Sequence, residues 1–337
     1  MSYDKIMLGH GSGGRMMREL IEKHFIPVFG SGYGLGSEDS AVIPAPEGTR
    51  VALTTDSYVV HPIFFPGGNI GDLSVNGTVN DLSMSGATPL YITTGFIIEE
   101  GFLLSDLGLV IASMKKAADE ARVKIVAGDT KVVDRGKADG IFINTAGFGI
   151  LPEWVNVSPR NIRPGDVIIV SGTIGDHGMA VMSKREGLGF ESEIFSDSAP
   201  LNTLVRDMLS VCPEIRAFRD PTRGGLASTL IEFAEESGVC ILINEKALPV
   251  TSAVRGACEL LGLDPLYVAN EGKLAAAVPP DKADIVLDAM RKNPYGKGAV
   301  IIGEVTLSPK GKVLMKTHIG GTRIVDMLAG EQLPRIC

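Results

Sequence analysis

Apolar positions along the chain recur with two different periods. Segments 41–44 (AVIP), 50–60 (RVALTTDSYVV), 90–98 (LYITTGFII), 123–128 (VKIVAG) and 140–151 (GIFINTAGFGIL) are rich in Val, Ile, Thr and aromatic residues, which predicts strands. Segments 13–24, 70–85 and 104–121 between them read as helices. In the last of these, Leu104, Leu107, Val110, Ile111 and Met114 recur at helical spacing. The polar, proline-bearing stretch 153–166 then interrupts the pattern and predicts a boundary. A second series follows: strands at 167–171, 239–243, 273–278 and 298–306, with helices near 176–186, 199–211, 224–237, 250–261 and 281–292. The expected organisation is an α/β (α+β) protein with domains over 1–154 and 155–325. The last stretch, 326–337, lacks an apolar period and is expected to be a mobile tail ending on Cys337.

Length and composition fit this division. A chain of 337 residues exceeds one typical core, and its 45% hydrophobic content can fill two. Its 41 glycines point to many tight loops or close backbone approaches to a ligand. The net charge of −8 argues against a general nucleic-acid or anionic-membrane surface, though not against a local phosphate pocket. The N-terminus lacks a secretory pattern, and the longest apolar run is cut by Glu99 and Glu100. Cys212, Cys240, Cys258 and Cys337 form no CxxC pair and no zinc spacing with His. Three of them read as buried core thiols, and the set as a whole suggests a reduced, cytoplasmic protein.

Candidate chemistry lies in short motifs. The stretch GHGSGG, containing Gly11, Gly13 and Gly14, matches a dinucleotide fingerprint formally but lacks the strand and the distant acid such a site needs. It reads as a lid or phosphate cradle, or as a plain flexible segment. No Walker A pattern occurs. Asp39, Asp56, Asp129 and Asp220 recur beside strand ends and glycine turns, where α/β proteins place ligands. Asp81 falls near a helix C-terminus, where its charge opposes the helix dipole by about 0.3–1 kcal/mol. Ordinary turn chemistry explains any one of these acids; a divalent cation such as Mg²⁺ would explain the set. Thr222, Arg223 and Gly224 open an apolar helix whose free N–H groups could hold an anion, unless Asp220 or Thr222 simply caps it. Lys131 follows Asp129 by two residues and shares its face if the segment is extended. Taken alone, Glu271 reads as an exposed loop acid.

In this order, SEDSAVI, TTDS, NDLSMSGATP, AGDTK and DPTRGGLA resemble the aminoimidazole-ribonucleotide synthetase (PurM-like) superfamily. The start LGHGSGG, the stretch NEGK and the terminal LPRIC are similar to its carbamoyl dehydratase branch, which serves [NiFe]-hydrogenase maturation. The resemblance implies an N-terminal domain whose strands build a barrel across a homodimer, and ATP with Mg²⁺ in the cleft between domains. It implies that a carbamoyltransferase, HypF, loads the terminal thiol. The S-carbamoyl group is then dehydrated to a thiocyanate, and the cyanide passes to iron on a HypC–HypD complex. By the same resemblance Asp39, Asp81 and Asp220 are metal and triphosphate ligands. Asp56, Asp129, Thr130, Thr222, Arg223, Gly224 and the glycines Gly11, Gly13 and Gly14 bind ATP. Lys131 contacts the phosphoryl or carbamoyl oxygen, Glu271 is the base and Cys337 carries the substrate. The rival expectations are a relative with selenophosphate or thiamine-phosphate chemistry, and a non-enzymatic thiol carrier.

Overall fold

A computed structural model describes residues 15–20, 22–23, 41–44, 48–187, 193–328, 330, 333 and 335–337. The first half contains helix α1 (Arg15–Leu20), strands β1 (Ala41–Pro44) and β2 (Thr49–Tyr58), and a small ribbon of β3 (Phe64–Phe65) and β4 (Gly68–Asn69). It continues with α2 (Ile70–Met84), β5 (Thr88–Glu99), α3 (Leu104–Ala121), β6 (Lys124–Val133) and β7 (Ile141–Pro152). The strands form a sheet in the order β1-β2-β7-β5-β6. Every pair is antiparallel except β5–β6, which α3 joins as a crossover.

Strand β7 alternates perfectly between two environments. Ile141, Ile143, Thr145, Gly147, Gly149 and Leu151 are buried, while the residues between them are not. The buried face lies under α2 and α3 and shares a core with Leu73, Val79, Val110 and Met114. The other face is also apolar, yet Leu53, Tyr91, Ile97 and Ile150 on it remain 40–45% exposed. The apolar stripe expected on α3 is only half right. Val110 and Met114 are buried, whereas Leu104 and Ile111 face outward at 83% and 49% exposure. Ala117, Ala118 and Ala121 complete the packed side, because the close crossing with α2 favours small residues: a β-carbon on Gly71 would lie 2.2 Å from the Val110 oxygen.

The second half contains β8 (Val167–Val170), α4 (Asp176–Arg185), α5 (Asn202–Val211), β9 (Ala217–Arg219), α6 (Gly225–Ser237), β10 (Cys240–Asn244) and α7 (Ser252–Leu261). After these come β11 (Ala275–Val278), α8 (Ala283–Lys292), β12 (Val300–Thr306), β13 (Lys312–Lys316) and β14 (Thr322–Val325). Its seven-stranded sheet, β14-β13-β10-β12-β8-β11-β9, is covered on both faces. Ile168 and Val170 join the core beneath α6, and Ile169 between them joins the core beneath α5 and α8. The short strands β9, β13 and β14 were not legible in the pattern. Within the described residues the other expected elements occur within about three residues of their predicted bounds, except β6, which runs on past its expected end. Cys212, Cys240 and Cys258 are buried free thiols, as expected. Among the described residues, no helix is long and apolar enough to cross a membrane.

Candidate active site

The site builds from the C-terminal end of α2. Asn69 and Asp72 close a reciprocal cap at the start of this helix, with Asn69 Oδ1 accepting from the Gly71 N–H at 2.8 Å and Asp72 Oδ1 from the Asn69 N–H at 2.7 Å. The helix therefore holds a fixed register, and its last turn delivers Asn80 and Asp81 to the junction of the two halves. Asn80 Nδ2 donates to the main-chain oxygens of Ala199 and Glu271, each at 3.1 Å, and its Oδ1 accepts from the Leu201 N–H at 2.8 Å. Asp81 Oδ2 accepts from the Thr54 hydroxyl at 2.7 Å. Thr54, Asp56 and Tyr58 thus point to the helix-covered face of β2.

Glu271 is not the exposed loop acid that its local sequence suggests; it is 2% exposed. The Asn80 bond and a bond from its own N–H to Asp197 Oδ1 at 3.0 Å hold its backbone. Only glycine fits next in the chain, since a β-carbon on Gly272 would sit 1.8 Å from the Asp197 oxygen. Asn270 ties the other side by accepting from the Gly175 N–H at 2.7 Å and donating to the Pro221 oxygen at 3.0 Å. Burial drives the Glu271 carboxyl far above the ordinary carboxylate range. The negative charges of Asp220, Asp56 and Asp197 add to that rise, and Arg223 works against it.

The DPTRGG turn meets the same point. Helix α6 begins at Gly224, an N-cap residue with no side chain of its own to cap the first N–H groups. Gly224 and Gly225 both take the left-handed conformation, and a β-carbon on Gly225 would lie 2.5 Å from the Leu266 oxygen. Asp220 is buried, while Arg223 reaches across to Asp56 at 3.9 Å.

Cys337 occupies the space between these groups. Ile336 beside it is 3% exposed, and Leu333 and Cys337 pack against the core of the first half. Burial pushes the thiol well above its ordinary range; Arg223 pulls it back, and Glu271 and Asp56 push it further up. The Cys337 sulfur, Asp56 and Glu271 in turn hold Arg223 firmly protonated. Asp56, Asp81, Asp220, Glu271, Thr222, Arg223, Gly224 and Cys337 therefore meet in one cleft between the halves. Asp197, Lys273, Asn80 and Asn270 belong to the same cluster; Asn80 stands in NDLSMSGATP and Asn270 and Lys273 in NEGK, whereas Asp197 carries no sequence signal.

Three predicted residues lie elsewhere. Strand β6 runs on to Val133, past the expected end at 128, so Asp129, Thr130 and Lys131 sit within a strand rather than at its end. The register runs Asp129–Gly95–Asn144–Ser57 across the sheet, whereas Asp56 aligns with Thr145 and Thr94. Thr145 and Thr94 are buried against the helices, so Asp129 and Lys131 emerge on the opposite, outward face. Three inter-strand steps separate Asp129 from Asp56, about 14 Å. Asp129 and Lys131 pair with each other at 2.7 Å and are about 70% exposed. Gly11, Gly13, Gly14 and Asp39 lie outside the described residues.

Comparison with known proteins matches both halves to one family. Residues 37–151 match the N-terminal domain of AIR synthase related proteins, and residues 163–316 match the C-terminal domain. The chain is 53% identical over 333 residues to "Carbamoyl dehydratase HypE" of Cupriavidus necator, covering 99% of this chain and 95% of that protein. It superposes with a TM-score of 0.86 and 52% identity on the crystal structure of a HypE–HypF complex, over 92% of this chain and 99% of that one. A crystal structure of HypE in complex with ATP gives 0.83 and 47%, over 99% and 100%.

Proposed function

This chain belongs to the HypE carbamoyl dehydratases of the AIR synthase related family, and from that premise we propose that it converts an S-carbamoyl group on its own Cys337 into a thiocyanate at the expense of ATP. The observation that carries this reading is the thiol of Cys337 in the interdomain cleft, set against Glu271, Asp56 and Arg223. A tail that merely presented a thiol to other proteins would not need a buried acid facing it.

The chemistry follows from the groups present. A carbamoyl oxygen is a poor leaving group. It attacks the γ-phosphorus of ATP, ADP leaves, and the oxygen departs later as part of inorganic phosphate. The nitrogen loses both its protons on the way, and the C≡N bond remains on sulfur. Glu271 takes a proton from nitrogen, and burial, by raising its proton affinity, makes the ionised carboxylate a stronger acceptor for it. Arg223 and the N–H groups opening α6 hold the triphosphate, with Asp56, Thr222 and Gly224 beside them, and the family resemblance assigns Gly11, Gly13 and Gly14 to the same nucleotide. The cleft gathers Asp56, Asp81, Asp220, Asp197 and Glu271 around few cations, a surplus of hard oxygen donors that suits Mg²⁺. Asp81 and Asp220, with Asp39, would hold it. Among the described residues no three such side chains converge tightly enough to bind an ion alone, so the ion would share its coordination with the oxygens of the bound nucleotide. Bound there, Mg²⁺ supplies charge neutralisation at the transferring phosphoryl group.

Lys131 and Asp129 face away from this cleft, and the apolar outward face of the same sheet is uncovered. Both features are met by a homodimer in which the outward faces close into a barrel. Lys131 and Asp129 of one copy then serve the cleft of the other, while Thr130 between them lies on the helix-covered face of β6. HypF loads the thiol and a HypC–HypD complex receives the cyanide, all within the cytoplasm. The deciding experiment is the mass of the C-terminal peptide after carbamoylation, with and without ATP. The expected result is loss of one water only with ATP; an unchanged carbamoyl peptide sinks the reading.

A further inference from the structure

The last three residues are held from both halves of the molecule. The Val59 N–H donates to the main-chain oxygen of Cys337 at 3.3 Å, and the His61 N–H to that of Arg335 at 3.1 Å. Arg185, from the last turn of α4, donates through Nη2 to the Arg335 oxygen at 2.7 Å and through Nε to the His61 oxygen at 2.8 Å. The Arg335 side chain pairs with Asp139. Arg335 takes a left-handed conformation, φ 55°, which turns the next peptide inward.

That inward peptide meets His177. Its Nε2 lies 2.9 Å from the Ile336 oxygen, and its Nδ1 lies 2.8 Å from the Ser196 hydroxyl. The ring is fully buried, packed edge-on by Phe65 at 5.3 Å between centroids. Ser196 Oγ already accepts from the Ser198 N–H at 3.1 Å, so its own proton is free to point at Nδ1. Nδ1 then accepts, Nε2 carries the ring proton, and Nε2–H donates to Ile336. Burial keeps the imidazole neutral, which this one-donor, one-acceptor arrangement requires.

We propose that His177 is a positioning residue for the reaction: its Nε2–H, oriented by Ser196, latches the Ile336 carbonyl so that the group borne by Cys337 is presented to Glu271. This rests on the dehydratase reading above. The physical argument is that the main-chain bonds on Ile336 and Cys337 bracket the Cys337 α-carbon, and so fix where its sulfur points. A buried carbonyl left without a donor is costly, and the tail can avoid that cost only by leaving the cleft.

The test uses the full-length chain and three variants. His177→Phe keeps the ring packing and removes the donor; His177→Gln keeps a donor near the Nε2 position; Ser196→Ala frees the tautomer. Labelling by an aromatic disulfide reads tail release, since Cys212, Cys240 and Cys258 are buried. Thiocyanate formation after carbamoylation by HypF reads presentation, and ATP affinity serves as the reference. In His177→Phe, labelling should rise about tenfold and thiocyanate formation fall by a similar factor, with ATP affinity unchanged. His177→Gln should recover both to within about threefold of wild type, and Ser196→Ala should fall between. Unchanged labelling in His177→Phe, or a Gln variant as defective as Phe, overturns the latch. If His177→Phe does not fold, Ser196→Ala decides: wild-type labelling and turnover there overturn the proposal. Wild-type chain that makes no thiocyanate sinks the reaction itself, while the labelling rates still judge the latch.

Discussion

The carboxyl of Glu271 faces the thiol of Cys337 across the floor of the cleft, and both are driven toward their protonated forms, mainly by burial. Arg223, which reaches Asp56 at 3.9 Å, works against both shifts.

Glu271→Gln keeps shape and hydrogen bonding but cannot accept a proton. The variant should still bind ATP and accept the carbamoyl group, and its C-terminal peptide should fail to lose water in mass spectrometry. Thiocyanate formed at the wild-type rate would remove Glu271 from the base role. In wild type the rate should rise with pH as Glu271 ionises.

The same carboxyl makes a stability prediction. Its folded-state proton affinity lies above the unfolded value, so the stability it contributes is full below the ordinary carboxylate range and is lost as pH rises through the raised value. Glu271→Gln should therefore lose stability less steeply than wild type between weakly acid and alkaline pH. Parallel slopes in urea titrations across that range would contradict the assigned burial effect.

Lys131→Ala removes a side chain that is 70% exposed and paired with Asp129, so stability should change by less than about 0.5 kcal/mol. Turnover should nevertheless stall before phosphoryl transfer, read as loss of ADP formation. Mixing inactive Lys131→Ala and Glu271→Gln chains should restore about one quarter of wild-type activity, since half the dimers are mixed and each holds one intact site. No recovery on mixing would mean that Lys131 serves its own subunit.

Asp81→Asn should weaken Mg·ATP binding, measured by calorimetric titration, while leaving the apo protein equally stable or up to about 1 kcal/mol more stable. Asp81 lies in the last turn of α2, where its charge opposes the helix dipole, and Asn retains an acceptor for the Thr54 hydroxyl. Unchanged nucleotide affinity would reassign Asp81 to a purely structural bond.

Cys337→Ala should abolish thiocyanate formation with little effect on the melting temperature, because the cores are filled by other side chains. A large loss of stability would make the seated thiol a structural element.

Periodicity alone determined the alternation of strands and helices, because burial of one face imposes a period on any strand or helix. Motif order determined the family and, through it, most of the cleft: Asp56, Asp81, Asp220 and Arg223 are motif residues, and they do meet. Periodicity could not place short edge strands such as β14, which span too few residues to show alternation. Only the tertiary structure decided that Glu271 is buried, since its neighbours Asp197 and Asn80 come from distant segments. Only the sheet register placed Asp129 and Lys131 on the outward face, because a strand's side chains divide between faces by single-residue steps that no motif encodes. The seat of Cys337 was likewise invisible in the sequence: the tail has no apolar period of its own, and its partners Val59, His61, His177 and Arg185 are brought to it by the packing of two domains.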